Sequence, residues 1–252
     1  MIQLSAYLNL LFEEKKFADR IDNVAKIDFD GFELFGWDHD FETIRAKRDE
    51  HNLEFVCLSG ERPDLTDPDR TAEGVKHIEE TIELAAANDC QRLNVKAGTR
   101  QPSLVHDEQQ DAVIDALNQV EPLAAEHGVT LVLEPLNTQV DHPDHFLTTA
   151  TEAAPIIEAV DSSHIGLLFD VYHEQIMDGD VIRSFRQYAD IIHHVHIADN
   201  PGRHEPGTGE LNYDRILNAI AETGYDGYVG FEFTPTRDPI PLLRELQTLV
   251  YD

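Results

Sequence analysis

Short apolar runs alternate with longer amphipathic stretches from one end of this 252-residue chain to the other. The apolar runs are IQLSAYL (2–8), GFELFG (31–36), LEFVCLS (53–59), RLNVKAG (92–98), VTLVLEP (129–135), IGLLFDV (165–171), IIHHVHIA (191–198) and GYVGFEF (227–233). Each is short enough for a strand and rich in leucine, β-branched or aromatic residues. Between and after them, helix-like stretches cover 15–26, 40–52, 70–88, 107–127, 144–160, 179–189, 213–223 and 238–250. Asp40 and Asp107 stand where helix N-caps are expected, and Gly128 where a helix stops. Eight strands alternating with eight helices imply parallel βαβ units. Count and length together suit an α/β fold of one domain, a (β/α)8 TIM barrel over residues 1–252. The rival is an open doubly wound sheet, whose first turn is glycine-rich; SAYLNLLFEE contains no glycine.

Hydrophobic residues make up 41% of the chain, enough for a sizeable core. No run of 18 apolar residues occurs, so no transmembrane helix is expected. The opening MIQLSAYLNLLFEEKK lacks a basic segment before its apolar stretch and a small-residue cleavage site, and so does not read as a signal peptide. Cys57 and Cys90 have no CxxC spacing and sit in apolar or helical context. They read as buried thiols in a reducing, cytoplasmic compartment.

Charge changes the picture more. Acidic residues number 49 against 19 basic, a net charge of −30. The acids are spread along the chain, with clusters around 64–73, 107–115 and 141–144, as on a solvated acidic face. Such a surface repels itself at low ionic strength, and molar salt, where the Debye length falls to roughly 3 Å, relieves the repulsion. A salt-rich, halophilic cytoplasm follows as the expectation. The same charge argues against a nucleic-acid partner, which needs clustered Lys and Arg. It leaves a homo-oligomer open.

The chemistry sits at strand ends. In a (β/α)8 barrel, reactive side chains project from the C-terminal ends of strands. The fifth strand ends in Glu134, the sixth in Asp170, the seventh carries His194 and His196, and the eighth ends in Glu232. Period-two alternation pairs Glu134 with Val132, Asp170 with Leu168, His196 with His194 and Glu232 with Gly230, so each can face the interior. Three carboxylates and one imidazole aimed at one spot would repel and desolvate one another without a cation. An oxygen-rich set with one nitrogen suits Mn²⁺ or Mg²⁺, with Co²⁺ or Zn²⁺ as alternatives. Such an ion can hold and polarise an α-hydroxycarbonyl compound, and Glu134 and Glu232, on either side of the Asp170–His196 pair, are placed to move its proton. Glu134, Asp170, His196 and Glu232 are therefore the candidate metal ligands, and Glu134 and Glu232 the candidate catalytic acid/base pair. The competing assignment gives each residue a separate structural task, such as capping the next helix or pairing with arginine.

EPLN (134–137), FDVYHEQIMDGD (169–180), HVHIADNPGRHEPGTGELNY (194–213) and GYVGFEFTP (227–235) resemble the hydroxypyruvate isomerase family of xylose isomerase-like barrels, which also includes sugar epimerases and an endonuclease branch. The resemblance is strongest over 129–235, and its most specific segment is 194–213. It implies a divalent metal on Glu134, Asp170, His196 and Glu232, acid/base roles for Glu134 and Glu232, and contacts from His173 and Arg203 to substrate oxygens. It implies interconversion of hydroxypyruvate and 2-hydroxy-3-oxopropanoate, with a ketose 3-epimerase or another small-sugar isomerase as the alternative. Close hydroxypyruvate isomerases often carry glutamine at the position of His196; histidine there is similar to the ketose 3-epimerases.

Arg203 makes physical sense beside a small anionic substrate, because its planar fork matches a carboxylate. The alternative for it is a surface ion pair with Glu205 or Glu210. Gly202, Gly207 and Gly209 allow a sharply folded loop around it that could close over substrate. Lys96 is expected to balance the acids by a salt bridge, Glu33 to be an interior structural acid, and His193 and His194 to be structural. Trp37 is left between pocket wall and core cover. The charge count yields the first prediction: the thermal midpoint rises as potassium chloride is raised from dilute buffer to about 1 M, measured by circular dichroism. An unchanged or falling midpoint contradicts the salt-adapted reading.

Overall fold

The computed structural model describes residues 2–60 and 64–251. Eight parallel strands close into a barrel in sequence order: β1 (Gln3–Tyr7), β2 (Gly31–Phe35), β3 (Glu54–Ser59), β4 (Arg92–Val95), β5 (Thr130–Leu133), β6 (Ile165–Asp170), β7 (Ile192–Ile197) and β8 (Tyr228–Phe231). The strand pairing β8–β1 closes the ring, with Ser5 opposite Gly230. Among the described residues the helices are α1 (Phe17–Lys26), α2 (Phe41–His51), α3 (Thr71–Ala87), α4 (His106–His127), α5 (Ala150–Val160), α6 (Val171–Met177), α7 (Val181–Tyr188), α8 (Tyr213–Glu222) and α9 (Pro239–Tyr251). None is long and apolar enough to cross a membrane.

All eight expected strands form, each of them shorter than its apolar run. Asp40 caps α2 as expected, accepting from the Thr43 amide at 3.1 Å, and Gly128 ends α4 in the left-handed region at φ 67°. Asp107 does not cap α4. The helix starts one residue earlier, and the amide of Val105 is met by the Glu108 carboxylate at 3.2 Å, leaving Asp107 inside the first turn. The stretch expected to be helical from 144 becomes α5 only at Ala150, where the Thr149 hydroxyl accepts from the Glu152 amide. α6 was not expected at all. It begins directly on Asp170, whose Oδ1 accepts from the amides of Tyr172 and His173 at 2.8 and 3.3 Å.

The main core lies between strands and helices. Inside the barrel a small apolar layer of Val56, Cys57, Val132 and Leu168 fills the middle, so the barrel is packed rather than open. Both cysteines are buried free thiols. Two register shifts interrupt the ladders, between Phe32 and Glu33 and between Leu167 and Leu168. The first lies directly before Glu33 and the second three residues before Asp170, both buried acids, and a bulge re-aims the side chains that follow. Gly31 shows how tight the wall is: a Cβ there would lie 2.5 Å from the Glu54 carbonyl oxygen and 2.5 Å from Val56 Cγ2. Gly31→Ala is therefore expected to cost about 1–3 kcal/mol, read as a lower urea midpoint; an unchanged midpoint means that β2 and β3 move apart freely.

Candidate active site

At the C-terminal end of the barrel, ligand atoms from Glu134, Asp170, His196 and Glu232 all lie within 4.8 Å of one another. β6 and β7 align Asp170 with His196, and β7 and β8 align His196 with Gly230, two residues before Glu232. Asp170 and His196 lie within β6 and β7, whereas Glu134 and Glu232 stand one residue past the ends of β5 and β8. Unscreened by any partner, carboxylates this close repel by about 3–4 kcal/mol per pair at an effective dielectric of 20. Three such pairs would rival the whole stability of a domain, roughly 5–15 kcal/mol. The surroundings answer each charge separately.

Glu134 Oε2 accepts from Asn94 Nδ2 at 2.8 Å and has Lys96 Nζ at 3.5 Å. Burial alone would raise its pKa, but Lys96 and His196 outweigh it and hold the carboxyl well below its usual value. Glu232 Oε2 meets Arg203 Nη2 at 3.0 Å. Burial opposes ionisation there too, and Arg203 and His196 overcome it. Asp170 divides its two oxygens: Oδ1 caps α6, while Oδ2 faces the site, 3.6 Å from His173 Nε2 and 3.7 Å from Arg203 Nη2. Burial, reinforced by Glu232 and Glu134 and only partly offset by Arg203, pushes Asp170 up to about 7.

Arg203 pairs with Glu232 and Asp170 rather than with Glu205 or Glu210, and its guanidinium lies 5.3 Å from the Tyr172 ring centroid. It stands at φ 54° in a loop held from both sides. Asp199 accepts from the amides of Asn200, Gly207 and Leu211 at 2.9, 2.8 and 3.1 Å. The Arg203 carbonyl accepts from the Thr234 amide at 2.9 Å, His204 Nδ1 donates to the Thr234 carbonyl at 2.7 Å, and Glu205 accepts from the Thr236 amide at 3.0 Å. This loop is already folded over the site and bonded to the segment after β8.

His173 is fully enclosed beside the ligand set, and its Nδ1 accepts from the Asn137 amide at 3.2 Å. The ring proton therefore resides on Nε2, which has no hydrogen-bond partner among the described residues. Burial, with Arg203 nearby, keeps His173 well below its usual pKa and thus neutral. Tyr7, Phe35, Lys96, Leu136, His142, His173 and Arg203, with Glu134 and Glu232, line a cavity of about 80 Å³. Trp37 is not among them; it stacks on His77, with ring centroids 4.3 Å apart.

Three contributors escaped the sequence reading. Tyr7 ends β1 and meets His196 edge-on, with centroids 5.9 Å apart; the strand-end rule that found Glu134 applied equally to it. Asn94 and Asn137 were inside quoted motifs, but nothing local distinguishes an orienting amide from a turn residue. Glu33 is buried deeper, its Oε2 bonded to His194 Nε2 at 3.0 Å and His196 Nε2 at 2.9 Å. Burial would raise its pKa, yet the two imidazoles hold it well below the usual range.

The Asp170 environment makes a stability prediction. In chelator-treated protein this carboxyl keeps its proton to about pH 7 when folded and loses it near 3.8 when unfolded. Its contribution to stability is full below the lower value and is lost as the pH rises through the higher one. Asp170→Asn cannot ionise and keeps an oxygen for the α6 cap. With chelator present it should melt at a higher temperature than the parent at pH 8 and together with it below pH 4. A variant that melts lower at pH 8 refutes this environment.

The sequence profile of the xylose isomerase-like TIM barrel family matches residues 21–249. The chain is 31% identical over 244 residues to the hydroxypyruvate isomerase of Escherichia coli (strain K12), covering 93% of this chain and 94% of that protein. It is equally 31% identical over 244 residues to the 2-oxo-tetronate isomerase of Cupriavidus necator, again covering 93% of this chain and 94% of the relative. A crystal structure described as an AP endonuclease of family 2 from Brucella melitensis has 28% identity and a TM-score of 0.87, covering 98% of this chain and 99% of that one. With the profile running from the first helix to the last and the barrel closed as that fold demands, this chain belongs to the xylose isomerase-like TIM barrel family.

Proposed function

We propose that the protein is a metal-dependent isomerase interconverting hydroxypyruvate and 2-hydroxy-3-oxopropanoate. One observation carries this: the four side chains of Glu134, Asp170, His196 and Glu232 gather within 4.8 Å at the end of the barrel where such folds do chemistry. Its relatives over 93% of the chain are isomerases of small oxo acids.

The donor set fits a hard divalent ion. His196 Nδ1 and Glu232 Oε2 stand 2.8 Å apart as an ion pair. Two ligands at right angles on an ion with bonds of 2.0–2.1 Å are separated by roughly 3 Å. Glu134, Asp170, His196 and Glu232 would hold Mn²⁺ or Mg²⁺, with Co²⁺ or Zn²⁺ also compatible. When bound, the ion supplies polarisation of the substrate carbonyl and offsets negative charge on its oxygens.

The proton chemistry falls to the protein. One of Glu134 and Glu232 removes a proton from C3 of hydroxypyruvate and releases it to solvent, while the other takes up a solvent proton and delivers it to C2. The hydroxyl proton passes from O3 to O2, so the ketone becomes an alcohol and the terminal alcohol an aldehyde. His173 presents its Nε2–H to a substrate oxygen. Arg203, whose Nε has no partner among the described residues, accepts the substrate carboxylate on its remaining donors while it holds Glu232. The acidic surface opposes a nucleic-acid substrate.

The test is solvent proton exchange. Hydroxypyruvate, 2-oxo-tetronate and free ketohexoses are incubated with Mn²⁺-loaded protein in deuterated molar salt and followed by NMR. Deuterium is expected to enter C2 of the three-carbon product, and removal of metal by chelator to abolish it. Glu134→Gln should lower turnover by at least about 100-fold while leaving the thermal midpoint of the chelator-treated protein nearly unchanged. Turnover of a free ketohexose with none of hydroxypyruvate identifies a ketose 3-epimerase instead. Normal turnover by Glu134→Gln removes this carboxylate from the proton path.

A further inference from the structure

We propose that Glu33, on the far side of the barrel from the ligand strands, is the positioning residue that fixes the His196 ring and aims its Nδ1 at the cation. This rests on the reading of His196 as a ligand. β2 is separated from β7 by β1 and β8, so Glu33 must reach across the barrel interior to touch His196. The path is built for that reach. Gly230 on β8 lies beneath it, and a Cβ there would run into Glu33 Oε1 and come within 2.7 Å of His196 Cδ2. On β1, the residue opposite Gly230 is Ser5, whose hydroxyl donates to Glu33 Oε1. The register shift between Phe32 and Glu33 on the β2–β3 ladder precedes the carboxylate directly. Four strands thus cooperate to present one buried carboxylate to two histidines.

The chemistry sets the tautomer. An ionised carboxylate accepts and never donates, so both Nε2 atoms that it bonds must carry their protons. With Nε2 held protonated by Glu33, only Nδ1 can give up its proton to a cation and offer a lone pair, and Nδ1 is the atom that faces Glu134 at 3.6 Å and Glu232 at 2.8 Å. His194 is the second clamp: it shares Glu33 Oε2 and meets the His196 ring edge-on, with centroids 4.9 Å apart. Replacing the carboxylate by an amide introduces a donor, which lets one of the two rings turn over and offer its proton, rather than its lone pair, to the site.

The experiment is Mn²⁺ titration followed by pulsed EPR on parent, Glu33→Gln, His196→Ala and the double variant, with fold checked by circular dichroism. In the parent, bound Mn²⁺ should show coupling to an imidazole nitrogen that His196→Ala removes. Glu33→Gln is expected to weaken Mn²⁺ binding 10–100-fold, to diminish that coupling, and to add no further loss in the His196→Ala background. Should Glu33→Gln not fold, Ser5→Ala leaves the carboxylate in place but frees it, and a smaller loss of affinity with altered nitrogen coupling is expected. Parent-like affinity and coupling in a folded Glu33→Gln protein overturn the positioning role while leaving His196 a ligand. Absence of nitrogen coupling in the parent overturns the ligand assignment itself, and the inference with it. An equal loss of affinity with and without His196 shows that Glu33 acts on stability alone.

Discussion

Burying three carboxylates within a few ångströms of one another is the constraint around which the end of this barrel is arranged. Every charged or polar neighbour answers one of them. Lys96 and Asn94 face Glu134, Arg203 faces Glu232, and the amino end of α6 takes one oxygen of Asp170. What these partners leave uncompensated is a ring of oxygens and one nitrogen pointing inward, the complement of a small doubly charged ion. The arrangement costs stability locally, as the raised Asp170 pKa shows.

The same constraint explains where two of the scarce cations are placed. The chain has few basic residues, 19 in all, yet Lys96 and Arg203 are set in the pocket wall. A surface rich in acids repels itself and has no need of these two cations for solubility. Their position inside the cleft sets them against Glu134, Asp170 and Glu232 instead.

Much of this could be read from the chain. Parity on the last four strands put Glu134, Asp170, His196 and Glu232 on one side, because strand alternation is a local rule and the barrel preserves it. The strand count and closure followed from the same periodicity. α6 was hidden because its cap, Asp170, had been assigned wholly to the ligand set; a carboxylate has two oxygens, and here they do different work. The late start of α5 reflects a cap at Thr149 that a 3.6-residue pattern cannot register. The grip of Glu33 on His196 was beyond reach, since it joins positions 163 residues apart through the barrel interior.

The bonds between the segment after β7 and the segment after β8 have a consequence for access. Arg203, His204 and Glu205 are each tied to residues 234–236, so this side of the rim behaves as one fixed jaw carrying both Arg203 and Glu232. Elsewhere on the rim the cavity is edged by Phe35, which is 36% exposed. Movement at Phe35 would leave intact the bonds that join Arg203 to the segment carrying Glu232.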